Sequence, residues 1–94
     1  MLLHTLNATP GQHATEQCLR CVTSDDALLL LGDGVYAAAS AELEVMLAST
    51  ANLYVLADDA RAAGVNIDDE RITLIDMAGF VTLTEQYERS LAWY

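Results

Sequence analysis

The sequence predicts an α/β fold: a single three-layer α/β/α domain with a small, mainly parallel sheet. Three observations predict it. Four short, nearly continuous apolar runs alternate with stretches of helical periodicity along the 94 residues. The runs are too brief for buried helices and are bracketed by turn residues, as expected for strands covered on both faces. Strand and helix alternate throughout, which implies βαβ units joined by right-handed crossovers.

Taken in order, Leu2–Leu6 reads as the first strand. Gln12–Thr23 reads as a helix, because Ala14, Cys18, Cys21 and Val22 fall at i, i+4, i+7 and i+8. Ala27–Leu31 is the second strand, set between Asp25-Asp26 and the turn Gly32-Asp33-Gly34. The stretch from Ala37 to Ser49 reads as a second helix, with Ala39, Leu43, Met46 and Leu47 on one side. Asn52–Leu56 is the third strand. A short helix over Asp58–Ala63 follows, with acids in its first turn, where the helix dipole favours them, and Gly64 placed to end it. Ile72–Ile75 is the fourth strand, and a last helix over about Ala78–Arg89 turns Phe80, Leu83, Thr84 and Tyr87 to one side. Ligand sites in such sheets gather beyond the carboxyl ends of the strands. Here those ends are Leu6–Pro10, Gly32–Tyr36, Ala57–Asp59 and Asp76–Gly79.

Residues 1–94 read as one domain. Apolar residues make up 53% of it, more than a core this small takes in, so part of the surplus is expected at contacts with other chains. Four Lys and Arg stand against 14 Asp and Glu, a formal charge of −10. That field opposes direct binding to nucleic acid, which needs clustered cations. It suits solubility or a basic partner protein. His4, Asn7, Pro10 and Gly11 interrupt the apolar start before a signal-peptide core forms. No run approaches the ~20 apolar residues of a membrane span. The reading is therefore cytoplasmic, with no membrane partner, and with Cys18 and Cys21 as reduced thiols.

The candidate chemistry is sparse. Cys18 lies in the middle of the apolar arc of the first helix, and three readings stand. It is a packed core thiol, an accessible nucleophile whose reactivity follows thiolate fraction and access, or a thiol facing a subunit interface. Cys21 completes a Cys-x-x-Cys spacing, but inside a helix rather than at a strand-to-helix junction, and a zinc site needs four ligands where only His4 and His13 remain. Core packing is expected for Cys21, and neither metal nor cofactor is indicated. His4, on the first strand, could act as a base for a thiol, but reads first as a satisfied structural histidine that fixes a neighbouring loop. Gly32-Asp33-Gly34 lacks both the glycine spacing and the lysine of phosphate-binding loops, and reads as a tight turn. The pairs Asp25-Asp26, Asp58-Asp59 and Asp68-Asp69 read as capping and solvated acids. The ending Leu91-Ala92-Trp93-Tyr94 is conspicuously apolar and suggests docking, onto the chain's own sheet or onto a partner. Trp93 and Tyr94, with Val45 off the main helical face, are the candidate interface residues.

Four segments occur in one order along almost the whole chain: Leu3-His4-Thr5-Leu6, Leu28-Leu29-Leu30-Leu31-Gly32-Asp33-Gly34-Val35-Tyr36-Ala37-Ala38, Tyr54-Val55-Leu56-Ala57-Asp58-Asp59-Ala60-Arg61-Ala62-Ala63-Gly64, and Ile75-Asp76-Met77-Ala78-Gly79-Phe80-Val81. Together they resemble the TusB/DsrH family, the smallest subunits of bacterial sulfur-relay complexes. The resemblance implies the same α/β/α architecture. It also implies assembly with TusC/DsrF-like and TusD/DsrE-like chains into a hexameric complex that hands persulfide sulfur to a downstream sulfur-carrier protein. The destination is 2-thiouridine at the tRNA wobble position in the Tus branch, and oxidation of stored sulfur in the Dsr branch. The principal catalytic cysteine is expected on the TusD/DsrE-like chain. This chain is then chiefly structural, with Cys18 as an auxiliary persulfide acceptor, since it resembles the position at which DsrH proteins of sulfur oxidisers carry a cysteine. Two departures stand out: Gly32 where the family has a longer polar residue, and Met77 where a tyrosine is common. The alternative is a non-catalytic, self-associating or regulatory interaction module that carries no sulfur.

Overall fold

Five strands form one sheet in the order β4-β3-β2-β1-β5, and every neighbouring pair is parallel. The computed structural model describes residues 1–94. The strands are β1 (Leu2–Leu6), β2 (Ala27–Leu30), β3 (Asn52–Leu56), β4 (Ile72–Ile75) and β5 (Arg89–Trp93). Between them lie α1 (His13–Cys21), a 3₁₀ segment (Gly32–Ala39), α2 (Leu43–Ser49), α3 (Ala57–Ala63) and α4 (Met77–Gln86). The architecture is of the expected α/β class.

Strand side chains alternate between the two faces of the sheet, and two cores result. Leu6, Leu28, Leu30, Leu53, Val55 and Ile72 point to one face, where Cys18, Val35, Ala37, Met46 and Ala60 cover them. Leu3, Ala27, Leu29 and Leu56 point to the other, under Leu83 of α4 with Phe80 and Tyr87 beside it. The first four strands are thus laid down one after another, with α1, the 3₁₀ segment, α2 and α3 all on one face. Helix α4 then carries the chain back across the opposite face to place β5 against β1. The uninterrupted leucines of β2 follow from its central position, since all four of its residues are buried.

Local chemistry sets the element ends. Asp76 accepts a hydrogen bond from the Gly79 amide at 2.8 Å and caps α4. Gly64, at φ 73°, closes α3 in the left-handed conformation. The helix expected from Ala37 to Ser49 is broken. Ser40 donates from its hydroxyl to the Ala37 carbonyl at 2.8 Å and accepts from the Glu42 amide at 3.2 Å. The side chain thereby replaces the partners a continuous helix would supply. The last helix ends at Gln86, and Arg89–Trp93, read from sequence partly as helix and partly as an apolar tail, is a fifth strand.

Candidate functional site

The carboxyl edge of the sheet is closed by its own loops. The Leu31 amide donates to the Leu6 carbonyl at 3.2 Å. The Gly32 amide donates to Asp59 Oδ2 at 2.7 Å, and the Asp33 amide to Asn7 Oδ1 at 3.2 Å. A concavity of about 210 Å3 remains there, lined by Gly32, Asp33, Tyr36, Asp59, Ala62 and Ala63. Its two carboxylates repel phosphate, and it contains no thiol. A larger concavity of about 600 Å3 lies at the amino ends of β3 and β4. Its one cation, Arg71, is already engaged by Asp69 at 2.7 Å and Glu44 at 2.9 Å. Hydrogen bonds from the Arg71 side chain and amide hold the Asp69 carboxyl down at about 2.

The thiols sit away from both concavities. Cys18 has no exposed surface and belongs to the core between α1 and the sheet. Burial, with a smaller contribution from Cys21, pushes its thiol up to about 12, so it carries almost no thiolate at neutral pH. Cys18 is placed as a packed thiol, and α1 gives it no exposed surface. Cys21 corrects the expectation in the other direction. It was expected in the core and is exposed at the end of α1, because the helix stops there and Val22, in extended conformation, takes the buried place. No group of three or more His, Cys, Asp or Glu side chains converges on a point that could hold a metal ion.

The most organised polar cluster joins the middle of β1, the start of β2 and the end of β5. His4 has no exposed surface, and Asp26 is 3% exposed. His4 Nε2 lies 2.9 Å from Asp26 Oδ2, and Trp93 Nε1 lies 3.1 Å from His4 Nδ1. An indole N–H only donates, so Nδ1 accepts; the imidazole proton is on Nε2 and is donated to Asp26. The His4 and Trp93 rings also stack, 6.2 Å between centroids and 20° apart in plane. Asp26 receives two further donors, the Leu2 amide at 2.8 Å and the Thr23 amide at 3.1 Å. Burial alone would raise its carboxyl, but the hydrogen bonds from His4, Leu2 and Thr23 outweigh it and hold it down at about 2. The structural reading of His4 fits this place. Asp26, read from sequence as a solvated turn acid, is instead the hub that ties β1 to the start of β2. Nothing in the local sequence distinguishes it from Asp25, because its burial depends on the pairing of β1 with β2.

The expected interface residues divide. Val45 is 53% exposed and Tyr94 81% exposed. Trp93 is half-buried and packs against its own core. The apolar ending therefore docks on its own sheet through Trp93 and leaves Tyr94 outward.

The molecule is an open, all-parallel α/β domain whose ligand edge is filled by its own turns, and solved proteins share that class. The ychN protein from E. coli superposes with a TM-score of 0.78 over 98% of this chain and 97% of its own, at 15% identity, a likeness of fold alone. Protein Tm0979 from Thermotoga maritima, solved by NMR, matches with a TM-score of 0.69 and 26% identity over 94% of this chain and 95% of its own. The sequence is more specific. The family described as "DsrH like protein" matches residues 9–90. Proteins named TusB from Serratia proteamaculans and Pectobacterium parmentieri are each 40% identical over 95 residues, covering 98% of this chain and 100% of theirs. The chain belongs to the TusB/DsrH family.

No helix is long and apolar enough to cross a membrane.

Proposed function

We propose that this chain is a structural subunit of a sulfur-relay complex, in which homologous TusC/DsrF-like and TusD/DsrE-like chains complete the assembly and carry the persulfide. The observation that carries this reading is the end-to-end match to proteins named TusB. Those relatives favour delivery toward 2-thiolation of the tRNA wobble uridine over oxidation of stored sulfur. Cys18, the one residue that speaks for the second branch, is buried, which weighs against its use as a relay thiol. The same burial, and the absence of a thiol from the carboxyl-edge concavity, support a scaffold in this subunit and a catalytic cysteine elsewhere. Exposed apolar side chains such as Val45, Met77, Val81 and Tyr94 are available for contacts with neighbouring chains.

Co-expression with TusC- and TusD-type chains tests the proposal. The three should co-elute and persist as one species in native mass spectrometry. Loading that complex with a sulfane-sulfur donor should add sulfur mass to the TusD-type chain and leave this chain unmodified. A lone species that ignores both chains at micromolar concentration refutes assembly. An adduct on this chain that disappears in Cys18→Ser refutes the scaffold role and restores the relay thiol.

A further inference from the structure

Strand β5 is held differently from the rest of the sheet. Four of its five residues, Arg89 to Ala92, are exposed, and only Trp93 is partly buried. It lies at an edge and pairs with β1 alone, from Leu2↔Arg89 to Leu6↔Trp93. Its side chains therefore add little burial beyond Trp93, and such segments open at low free energy. Trp93 is held by its packing against the core, by the Asn7 amide on its carbonyl at 2.9 Å and, through its side chain, by His4. The indole N–H needs an acceptor, and the only one it has is Nδ1 of a fully buried imidazole.

That acceptor exists only while His4 is neutral. A second proton would go onto Nδ1 and set an N–H donor against the indole N–H donor. The other side of the ring responds oppositely. Nε2 keeps its hydrogen, and its contact with the Asp26 carboxylate becomes an ion pair, which is stronger. The consequences thus separate by strand, with β1 and β2 drawn together while Trp93 loses its partner.

We propose that the His4–Trp93 contact is a release catch for the C-terminal strand: protonation of His4 removes the acceptor of the Trp93 indole and loosens β5, while the clamp between β1 and Asp26 stays shut. The ionisable surroundings permit this. Asp26 is the one charged group bonded to the ring, and its carboxyl, held at about 2, stays ionised throughout the range in which a histidine ordinarily changes charge. Helix α1, packed on the same face, brings Cys18 into this core as a neutral thiol, while its His13, Glu16, Arg20 and Cys21 face solvent. From β5 the other charged group is Arg89, exposed at the far end of the strand. On the opposite face Tyr87 is raised by burial, then by Tyr54 and Asp26, and is neutral over the same range. Opening β5 would bare the edge of β1, an unpaired strand able to accept another chain.

Trp93 is the only tryptophan, so its fluorescence reports the catch directly. Acrylamide quenching and amide exchange, corrected for intrinsic rates, are to be followed in the whole protein from pH 8 to 5. Quenching should rise as pH falls, and the amides of Leu91 and Trp93, which face β1, should exchange roughly five- to tenfold faster, the loss expected for one hydrogen bond. The amides of β2 to β4, and those of β1 that face β2, should keep their protection. Trp93→Phe retains a ring and removes the donor; its β5 amides should be fast already at pH 8 and should not respond to pH. His4→Gln should likewise abolish the pH response, and Trp93→Phe carries the test if that variant does not fold. Flat quenching in the unmodified protein overturns the proposal. So does β5 loosening that persists unchanged in Trp93→Phe, or loss of protection across all five strands together.

Discussion

Gly34→Ala is the sharpest test of how the carboxyl edge is built. Gly34 is buried, and a β-carbon placed on it would overlap the backbone carbonyl oxygen of Leu6 and stand 2.9 Å from the carbonyl carbon. Neither atom is the free end of a side chain. Leu6 has no exposed surface, and its carbonyl accepts the Leu31 amide at 3.2 Å. Relief therefore requires backbone movement at the end of β1. Overpacking of a tight core costs about 1–3 kcal/mol, and loosening the Leu31–Leu6 bond adds about 1 kcal/mol. A loss of about 3 kcal/mol in a domain of this size lowers the melting midpoint by roughly 12–24 °C. Thermal unfolding followed by circular dichroism measures it, with Gly64→Ala as the comparison. That glycine has φ 73° and open space around it, so its substitution carries only the left-handed penalty of about 1–2 kcal/mol. A Gly34→Ala midpoint no lower than that of Gly64→Ala would refute the close-packed edge.

Asp26 should show in the pH dependence of stability. Its folded carboxyl titrates at about 2, below the ordinary ~3.9. Its contribution is therefore present above about pH 4 and is lost as pH falls toward 2; a shift of this size corresponds to about 2 kcal/mol. Urea denaturation across that range should show a decline in the unmodified protein that is shallower in Asp26→Asn, and parallel curves would remove Asp26 from the account. A thiol reagent applied to the native protein should modify Cys21 and spare Cys18 until denaturant is added; equal rates would contradict the burial. Cys18→Ser should destabilise by about 1–3 kcal/mol, the cost of burying a hydroxyl without a partner, while Cys21→Ser should stay within about 0.5 kcal/mol.

The amino-acid sequence by itself determined the α/β class, the family and the positions of the first four strands. Each of these strands is a short apolar run between turn residues, and three begin and end where expected; β2 stops one residue early, at Leu30. Such runs carry their own signal because covered strands need apolar side chains on both faces. Helix α3 was legible for the same local reason, with acids at its start and Gly64 at its end. Tertiary structure decided the rest. Arg89–Trp93 has no buried alternation of its own and is a strand because β1 offers it an edge. Ser40 breaks the second helix through side-chain bonds that compete with the helix backbone. Asp26 differs from Asp25, and Cys18 from Cys21, only in what the folded chain lays over them. Periodicity describes what one element wants to bury, whereas the charge state and accessibility of a side chain are set by neighbours distant in sequence, and those are brought together only when the sheet closes.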